Sequence, residues 1–370
     1  MISIPRTDRS LLGNWWWTVD RMLLLALAVL AGIGVILVFA ASPAVSERVY
    51  GGGMRFVVKH VMFLGPGALL LLGVSLLAPR GVLRLALAML AVFGFLLLMT
   101  LFFAQEVKGA HRWLVLGGLQ LQPSEFVKPA LSVVCAWLLT RKGGLAAFPE
   151  SAALVGCVLF VLIQQPDIGM SAVIAFVYGA QLFVAGLGWL WIVAMLGLGV
   201  GGLFQAYLFW PHFRDRVDDF LDPGSLGYQV DQALRAVASG GLFGRGPGEG
   251  VTKFRLPDAH ADFIFAATAE EFGILACLVL VALFGFVMLR ALWRILDAGD
   301  RFVQLAATGL IAQFGLQALI NMAVNLNLMP TKGMTLPFIS YGGSSLLALA
   351  IGMGMLLALT RRGVRLERGP

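Results

Sequence analysis

Long apolar segments recur along the whole chain, and they constrain its fold more than any other feature. Each is about as long as the roughly 20 residues that a helix needs to cross the hydrocarbon core of a bilayer. With 59% apolar and 13% charged residues, the composition excludes a water-soluble globular protein, in which about 45–50% of residues are apolar. We predict an all-α polytopic membrane protein with about ten transmembrane helices, near 22–41, 57–78, 83–104, 125–140, 148–165, 168–186, 188–209, 263–290, 302–325 and 344–360.

The distribution of basic residues predicts the orientation of these helices. Most lysines and arginines of the short connections fall on the side of the N-terminus, and such loops are usually cytoplasmic. Both termini are therefore expected to be cytoplasmic. The predicted organisation is a cytoplasmic N-terminal segment at 1–21, a transmembrane domain at 22–360 and a cytoplasmic tail at 361–370.

Three polar segments fall on the opposite, outer side of this arrangement. They are 105–124, 326–343 and a large outer loop, 210–262, between helices 7 and 8. These segments carry most of the residues capable of chemistry, so an active site is expected to face outward.

The net charge of +7 does not indicate a nucleic-acid partner. Lysines and arginines are scattered singly between the helices and form no basic stripe, which a nucleic-acid-binding surface would need. Anionic membrane lipids, or an anionic substrate at the membrane surface, suit such charges better.

Asp262 is the most informative carboxylate in the sequence. It ends the longest outer segment and is followed at once by three apolar residues, 263–265. Partial desolvation at that boundary would make its carboxylate a stronger base. An N-cap role is equally compatible with the pattern. Farther along, Glu270 and Glu271 need a cation or a wet cavity inside the membrane, and a structural ion pair is the favoured interpretation.

Two other outer segments offer polar groups beside predicted helices. Glu125 and Lys128 are three residues apart on one helix face, where they can pair structurally. Arg112 stands beside Trp113; tryptophan anchors at headgroup depth, and a guanidinium binds phosphate through two hydrogen bonds. A Gly-Gly-Ser-Ser turn at 342–345 opens the last helix, and its backbone N–H groups suit a phosphate or carboxylate. A tightly packed, capped turn explains the same four residues equally well.

Specific motifs extend over nearly the whole chain: RW at 112–113, QPSE at 122–125 with Lys128, QPD at 165–167, FLDP at 220–223, GYQ at 227–229, HADF at 260–263 and ISYGGSS at 339–345. Together they resemble the SEDS family (shape, elongation, division and sporulation), the bacterial polymerases of peptidoglycan glycan. GPGEG at 246–250, LPDAH at 256–260 and Asn325 with PTKG at 330–333 resemble the FtsW branch, which acts in division, more than the RodA branch, which acts in elongation. WWWTVDR at 15–21 is similar to alphaproteobacterial FtsW proteins.

The resemblance implies an inverting glycosyltransferase. Lipid II, a disaccharide-pentapeptide on undecaprenyl pyrophosphate, would be polymerised into β-1,4 glycan on the outer face of the inner membrane. Asp262 would be the catalytic base that takes the proton of the acceptor's 4-hydroxyl. The family usually has threonine where this chain has Ala261, but the neighbouring carboxylate remains and activity is still expected. The anionic leaving group requires cations, and the sequence offers Arg112, Lys128, Arg214, Arg216 and Lys332.

The resemblance also implies further binding residues, a cofactor and partners. Additional substrate-binding candidates are Glu125, Ser340, Ser344 and Ser345. A divalent cation (Mg or Mn) is expected to assist without dedicated metal-ligating residues, although His260 with Asp258 and Asp262 is a weak candidate set. Expected partners are lipid II, membrane lipids, a class B penicillin-binding protein of the FtsI transpeptidase type and divisome regulators at the division septum, and no nucleic acid.

Two other functional classes fit a protein with many transmembrane helices. A lipid II flippase would use broken helices and buried acids, but it needs access from both faces, whereas the polar residues gather on one side. A noncatalytic divisome scaffold would explain exposed outer loops but not an aspartate set against apolar residues at the membrane edge.

Overall fold

The computed structural model describes residues 10–50, 54–107, 110–116, 119–141, 148–221 and 227–362. Over these ranges the chain forms thirteen α-helices and three short strands. They are α1 (Leu11–Thr18), α2 (Arg21–Tyr50), α3 (Arg55–Ser75), α4 (Pro79–Phe103), β1 (Gln105–Val107), β2 (Ala110–Leu116), β3 (Leu119–Leu121), α5 (Pro123–Arg141), α6 (Phe148–Gln164), α7 (Ile168–Ala185), α8 (Trp189–Phe209), α9 (Pro211–Leu221), α10 (Tyr228–Gly240), α11 (Ile264–Leu296), α12 (Arg301–Asn325) and α13 (Gly343–Leu359).

Each of the ten predicted membrane segments coincides with a helix, namely α2–α8 and α11–α13. Within the described ranges, seven of these helices are long and apolar enough to cross a membrane, and α6 and α13 are shorter apolar helices. α5 carries Glu125 and Lys128 and is buried along almost its whole length, because α4, α6, α7, α12 and α13 all pack against it. The polytopic helical prediction is confirmed, while the side of the membrane on which the termini lie stays a prediction.

The first outer segment contains three short strands in an otherwise helical chain. β1, β2 and β3 form a small antiparallel sheet, in which Leu114 lies opposite Leu121. The sequence of β2, AHRWLVL, contains several residues that fit a pleated, half-buried surface. The sheet packs against α4 and α5, so it holds Arg112 close to the bundle.

The large outer loop between α8 and α11 is also more ordered than a loop. It contains α9, α10 and a 3₁₀ turn at Thr252–Phe254. The buried face of α10, including Ala233 and Ala236, packs with Phe263 and Ala266 around the start of α11. This apolar cluster also includes residues of α7 and α12, so it joins α10 and the turn containing Asp262 to the helix bundle.

α11 is interrupted at Gly273, which the uniform apolar pattern of the sequence does not reveal. Gly273 adopts φ 79° and ψ 177°, a backbone conformation that is accessible to glycine and costly for other residues. The connection after α10 enters this break: Arg245 and Gly246 donate backbone hydrogen bonds to Glu270 and Glu271. The freed backbone groups are thus satisfied inside the protein, as an apolar surrounding requires.

The two buried glutamates of α11 have structural partners. Glu270 accepts three backbone hydrogen bonds, from the N–H groups of Val251, Thr252 and Lys253. Glu271 forms an ion pair with the buried ammonium of Lys253. The favoured interpretation of these acids as structural is confirmed for Glu271, and Glu270 acts as the acceptor that caps the 3₁₀ turn.

Candidate functional site

Asp262 lies in the turn that immediately precedes α11. Its backbone carbonyl accepts hydrogen bonds from the side-chain amides of Asn321 and Asn325 on α12, both at 2.9 Å. Phe263 occupies the cap position of α11, so Asp262 is not the N-cap that the sequence also allowed. The backbone of this turn is therefore held by two side-chain amides of α12.

The segment before α13 holds the other side of this turn. The hydroxyl of Ser340 donates to the carbonyl of Ala261 at 2.6 Å and accepts from the N–H of Leu336 at 2.7 Å. Gly333 in the same segment faces the carboxylate: a Cβ atom placed on it would lie 2.8 Å from Asp262 Oδ2. Asp262 therefore lies directly against the backbone that carries Lys332.

Lys332 and Arg112 converge on one buried carboxylate, Asp167. Lys332 Nζ lies 3.2 Å from Asp167 Oδ1, and Arg112 Nε lies 3.5 Å from Oδ2. Arg112 also donates from Nη2 to the carbonyl of Pro166 at 2.7 Å. Asp167 is at the same time the N-cap of α7. This carboxylate was not predicted as a site residue; the available signal was an aspartate directly after a proline that separates two apolar segments.

The charges of this cluster perturb one another. Burial lowers the pKa of Lys332 to about 8, although Asp167 opposes this shift. Burial raises the pKa of Asp167, but the charges of Lys332 and Arg112 outweigh it and hold that pKa below its ordinary value. Burial and then Arg112 lower the pKa of Arg216, while Asp167 and Asp262 raise it. Arg216 is therefore within electrostatic range of both carboxylates.

We call Arg112, Arg216 and Lys332, together with Asp167, the cationic cluster. Its three basic side chains outnumber its single carboxylate. Arg216 reaches it from α9 by donating to the carbonyl of Thr331 at 3.4 Å. The cluster thus keeps excess positive charge beside Asp262, which suits an anionic group of the substrate.

Lys128 lies in a hydrogen-bond network inside the helix bundle. Its ammonium pairs with Glu125 at 2.9 Å, as the spacing predicts, and donates to Gln317 Oε1 at 3.3 Å. Gln317 in turn donates to the carbonyl of Thr335 at 3.1 Å. The hydroxyls of Thr335 and Ser345 lie 2.8 Å apart, so Ser345 joins the same network.

Other predicted binding residues have positions that favour structural roles. Arg214 donates to the carbonyls of Tyr207 and Leu208 at the end of α8, so its hydrogen bonds cap that helix. Ser340 bridges two backbone groups, as described above, and Ser344 is buried at the start of α13. A Cβ atom on Gly343 would meet the ring of Phe63 at 2.8 Å, which favours the tightly packed interpretation of the Gly-Gly-Ser-Ser turn.

His260 is packed rather than placed among metal ligands. Its ring centroid lies 4.1 Å from that of Phe56 and 5.4 Å from that of Tyr341. Burial lowers the pKa of His260 to about 4, which keeps the ring neutral. In the parts of the chain that the structure describes, no three His, Cys, Asp or Glu side chains lie together as a metal site would need. Asp222 of the FLDP motif lies outside the described residues.

Comparisons with known proteins identify the family of the chain. The FtsW, RodA and SpoVE family, described as cell cycle proteins, matches residues 20–363. The chain is 43% identical to a probable peptidoglycan glycosyltransferase FtsW from Caulobacter vibrioides, over 97% of this chain and 94% of that protein. It is 37% identical to the protein of the same name from Hydrogenovibrio crunogenus, over 94% of each chain.

Two solved structures share the fold. A chain from a peptidoglycan synthase complex, in which polymerization and crosslinking are coordinated, has a TM-score of 0.79 and 29% identity, over 93% of this chain and 98% of that chain. The rod shape determining protein RodA of Thermus thermophilus has a TM-score of 0.70 and 28% identity, over 93% of this chain and 97% of that chain. From the extent of these matches, the chain belongs to the FtsW, RodA and SpoVE family of cell cycle proteins, the SEDS family that its motifs predicted.

Proposed function

We propose that this protein is a peptidoglycan glycosyltransferase that polymerises lipid II on the outer face of the bacterial inner membrane. The observation that carries the proposal is the position of Asp262, which lies against Gly333 and next to the cationic cluster. In the proposed reaction a hydroxyl group attacks and an anion leaves. The hydroxyl needs a base and the anion needs positive charge, and Asp262 and the cationic cluster supply these two groups side by side.

In the proposed reaction, Asp262 accepts the proton of the acceptor sugar's 4-hydroxyl. The oxygen then forms a bond to the anomeric carbon of the donor, and the bond from that carbon to the diphosphate breaks with inversion. The electron pair leaves with undecaprenyl pyrophosphate, whose negative charge is met by Lys332, Arg112 and Arg216. Asp167 holds Lys332 and Arg112 in place before substrate arrives, so little reorganisation is needed during the step.

A divalent cation (Mg or Mn) was expected, but the described residues contain no group of three His, Cys, Asp or Glu side chains that could bind it. Asp167 is already engaged by Lys332 and Arg112, so it is poorly placed to bind a metal as well. We therefore assign charge neutralisation to the basic side chains and route no step through a metal ion.

The proposed partner is a transpeptidase that crosslinks the new strands. A similar solved chain comes from a synthase complex that coordinates polymerization and crosslinking, which supports a class B penicillin-binding protein of the FtsI type for this chain. The likeness to FtsW proteins supports a role in division, with divisome regulators as partners and the septum as the location. These assignments rest on the family rather than on the described contacts.

Polymerisation of lipid II by the purified protein with its transpeptidase partner tests the proposal. The Asp262→Asn variant is expected to lose at least about a hundredfold in rate, the lower range for losing a general base. It should remain folded, because asparagine has nearly the same shape as aspartate and its backbone carbonyl still accepts from Asn321 and Asn325. Glycan length on a gel reports the activity, and Asp231→Asn serves as the matched control, since Asp231 lies on α10 and pairs with the exposed Arg235. A wild-type rate in Asp262→Asn would eliminate the proposed base.

A further inference from the structure

A cavity lies beside the cationic cluster. It has a volume of about 220 Å³ and lies between α9, the start of α10 and the segment before α13. Its polar lining comes from Arg216, Asp219, Tyr228, Gln229, Asn327 and Thr331. Pockets for drug-sized ligands are roughly 300–1,000 Å³, so this cavity suits a smaller unit.

The aromatic wall of the cavity is held in a defined position. The hydroxyl of Tyr228 donates to the carbonyl of Arg255 at 3.0 Å, which ties the tip of the side chain to the segment after the 3₁₀ turn. The residue is nevertheless 59% exposed, so its ring presents accessible apolar surface. Because a tethered aromatic ring loses little conformational freedom on binding, it is an effective platform for a ligand.

Hydrogen-bonding groups of both kinds accompany the ring. Gln229 and Asn327 each supply an amide that can donate and accept, Asp219 supplies acceptors and Arg216 supplies donors. Asn327 has φ 55°, a left-handed conformation that asparagine tolerates better than most residues. A sugar ring has C–H groups on its faces and hydroxyl or acetamido groups on its rim, so it matches an aromatic wall surrounded by such groups.

Arg216 connects this cavity to the reaction site. It lines the cavity, and its charge also interacts with Asp262, Asp167 and Arg112. Thr331 also lines the cavity, accepts a hydrogen bond from Arg216 and directly precedes Lys332. A glycan whose reacting sugar lies beside Asp262 would therefore place a neighbouring sugar in or near the cavity.

We propose that this cavity binds one N-acetylhexosamine unit next to the sugar that reacts, with Tyr228 and Gln229 as its positioning residues. The inference rests on the proposed function, because that function defines which sugar reacts. The new glycosidic bond joins two sugars, and each of them is attached to a further N-acetylhexosamine. One of these belongs to the lipid II acceptor and the other to the growing strand. The two sources share this chemistry, and the experiment below separates them.

The first arm measures binding without catalysis. A lipid-free, peptide-free tetrasaccharide of N-acetylglucosamine and N-acetylmuramic acid is titrated into the purified complex of this protein with its transpeptidase partner. Tyr228→Ala and Gln229→Ala should each weaken its binding by about tenfold, equivalent to roughly 1.4 kcal/mol. Tyr228→Phe keeps the ring but loses the hydrogen bond to Arg255, so its affinity should lie between those of wild type and Tyr228→Ala. Arg235→Ala is the matched control, because Arg235 is exposed and pairs with Asp231 on the same helix.

The second arm measures steady-state polymerisation of lipid II with the same variants. A raised KM for lipid II with little change in kcat assigns the cavity to the acceptor. Shorter glycan products with an unchanged KM assign it to the growing strand. If the alanine variants bind the tetrasaccharide as wild type does and also keep its KM and product length, the proposal is overturned.

The two arms also separate this inference from the proposed function. In the Asp262→Asn background, Tyr228→Ala should still weaken binding of the tetrasaccharide by about tenfold, since Asp262 does not line the cavity. If the wild-type complex binds the tetrasaccharide through Tyr228 and Gln229 but does not polymerise lipid II, the proposed enzyme fails and the sugar site stands. If it polymerises lipid II but no cavity variant changes binding, KM or product length, the sugar site fails and the enzyme stands.

Discussion

At the scale of single residues, the position of Lys332 depends on a glycine in helix α7. Its side chain crosses the first turn of α7, where a Cβ atom on Gly169 would lie 1.8 Å from Lys332 Cδ and 2.3 Å from Nζ. Only a residue without a side chain leaves this space for the lysine. Gly169 thus shapes the cationic cluster without contributing a functional group.

The Gly169→Ala variant tests this dependence. The new methyl group should displace Lys332 from Asp167, and kcat/KM for lipid II should fall by about 10- to 100-fold because a displaced charge no longer meets the leaving group. Stability should change little, since a flexible side chain can move away and alanine favours the helix. Gly179→Ala on the same helix, where a Cβ meets nothing within 4 Å, should retain wild-type activity. Equal activity of both variants would contradict this role.

The sequence predicts some site residues better than others. Some candidates are recognisable from near neighbours in the chain. Asp262 is followed at once by apolar residues, and Glu125 and Lys128 are three positions apart on one helix. Arg214 and Arg216 were both predicted to bind the substrate, yet they lie on different faces of α9, because residues two positions apart are separated by about 200° around a helix. Arg216 therefore faces the segment at Thr331, while Arg214 turns back to the end of α8.

At the scale of secondary-structure elements, the break in α11 determines where the outer region attaches. A Cβ atom on Gly273 would lie 2.3 Å from the carbonyl oxygen of Leu242 and 2.5 Å from the N–H of Gly244. The connection after α10 is therefore in direct backbone contact with the break. Uniform hydropathy conceals such an interruption, because both halves of the helix are equally apolar.

The Gly273→Ala variant is expected to be strongly destabilised. Its φ of 79° is unfavourable for alanine, and the added methyl group overlaps two backbone atoms, so the free energy of unfolding should fall by more than about 2 kcal/mol. The apparent melting temperature in detergent reports this loss. Gly285→Ala in the same helix, where a Cβ meets nothing within 4 Å, is the control. A melting temperature equal to that of the control would show that the break does not depend on glycine.

At the scale of the whole molecule, the two ends of the described chain meet. The backbone N–H of Arg362 donates to the carbonyl of Thr18 at 3.1 Å, so both ends lie at one end of the bundle. Nearby, Asp20 is 1% exposed and lies 2.9 Å from Arg290 Nε and 2.5 Å from Arg294 Nε. This ion-pair group connects the start of α2 to the end of α11. That this end is cytoplasmic stays a prediction.

Asp20 should make stability depend on pH. Burial raises its pKa, but the hydrogen bonds from Arg294, Leu23 and Arg290 outweigh burial and hold the pKa below its ordinary value. A carboxyl group with a lowered pKa in the folded state stabilises it above the unfolded pKa of about 3.9 and loses this effect as pH falls through the folded value.

The Asp20→Asn variant should therefore be less stable at pH 7, by about 1–3 kcal/mol, because two arginines lose their charged partner. The difference from wild type should shrink on acidification below pH 4, where the wild-type carboxyl group also becomes neutral. Apparent melting temperatures of both proteins at neutral and acid pH measure this. A constant difference at all pH values would rule out the ionised carboxylate as its origin.

The sequence alone determined the polytopic helical fold and the approximate bounds of its ten apolar helices, and it identified Asp262 as the candidate base. Hydropathy and short motifs are local properties, so they can be read without knowing which helices touch. The tertiary structure decided the rest: the inclusion of Asp167 and Arg216 in the cationic cluster, the exclusion of Arg214, the break at Gly273 and the cavity at Tyr228. Each of these depends on contacts between residues far apart in the chain, which exist only after the helices have packed.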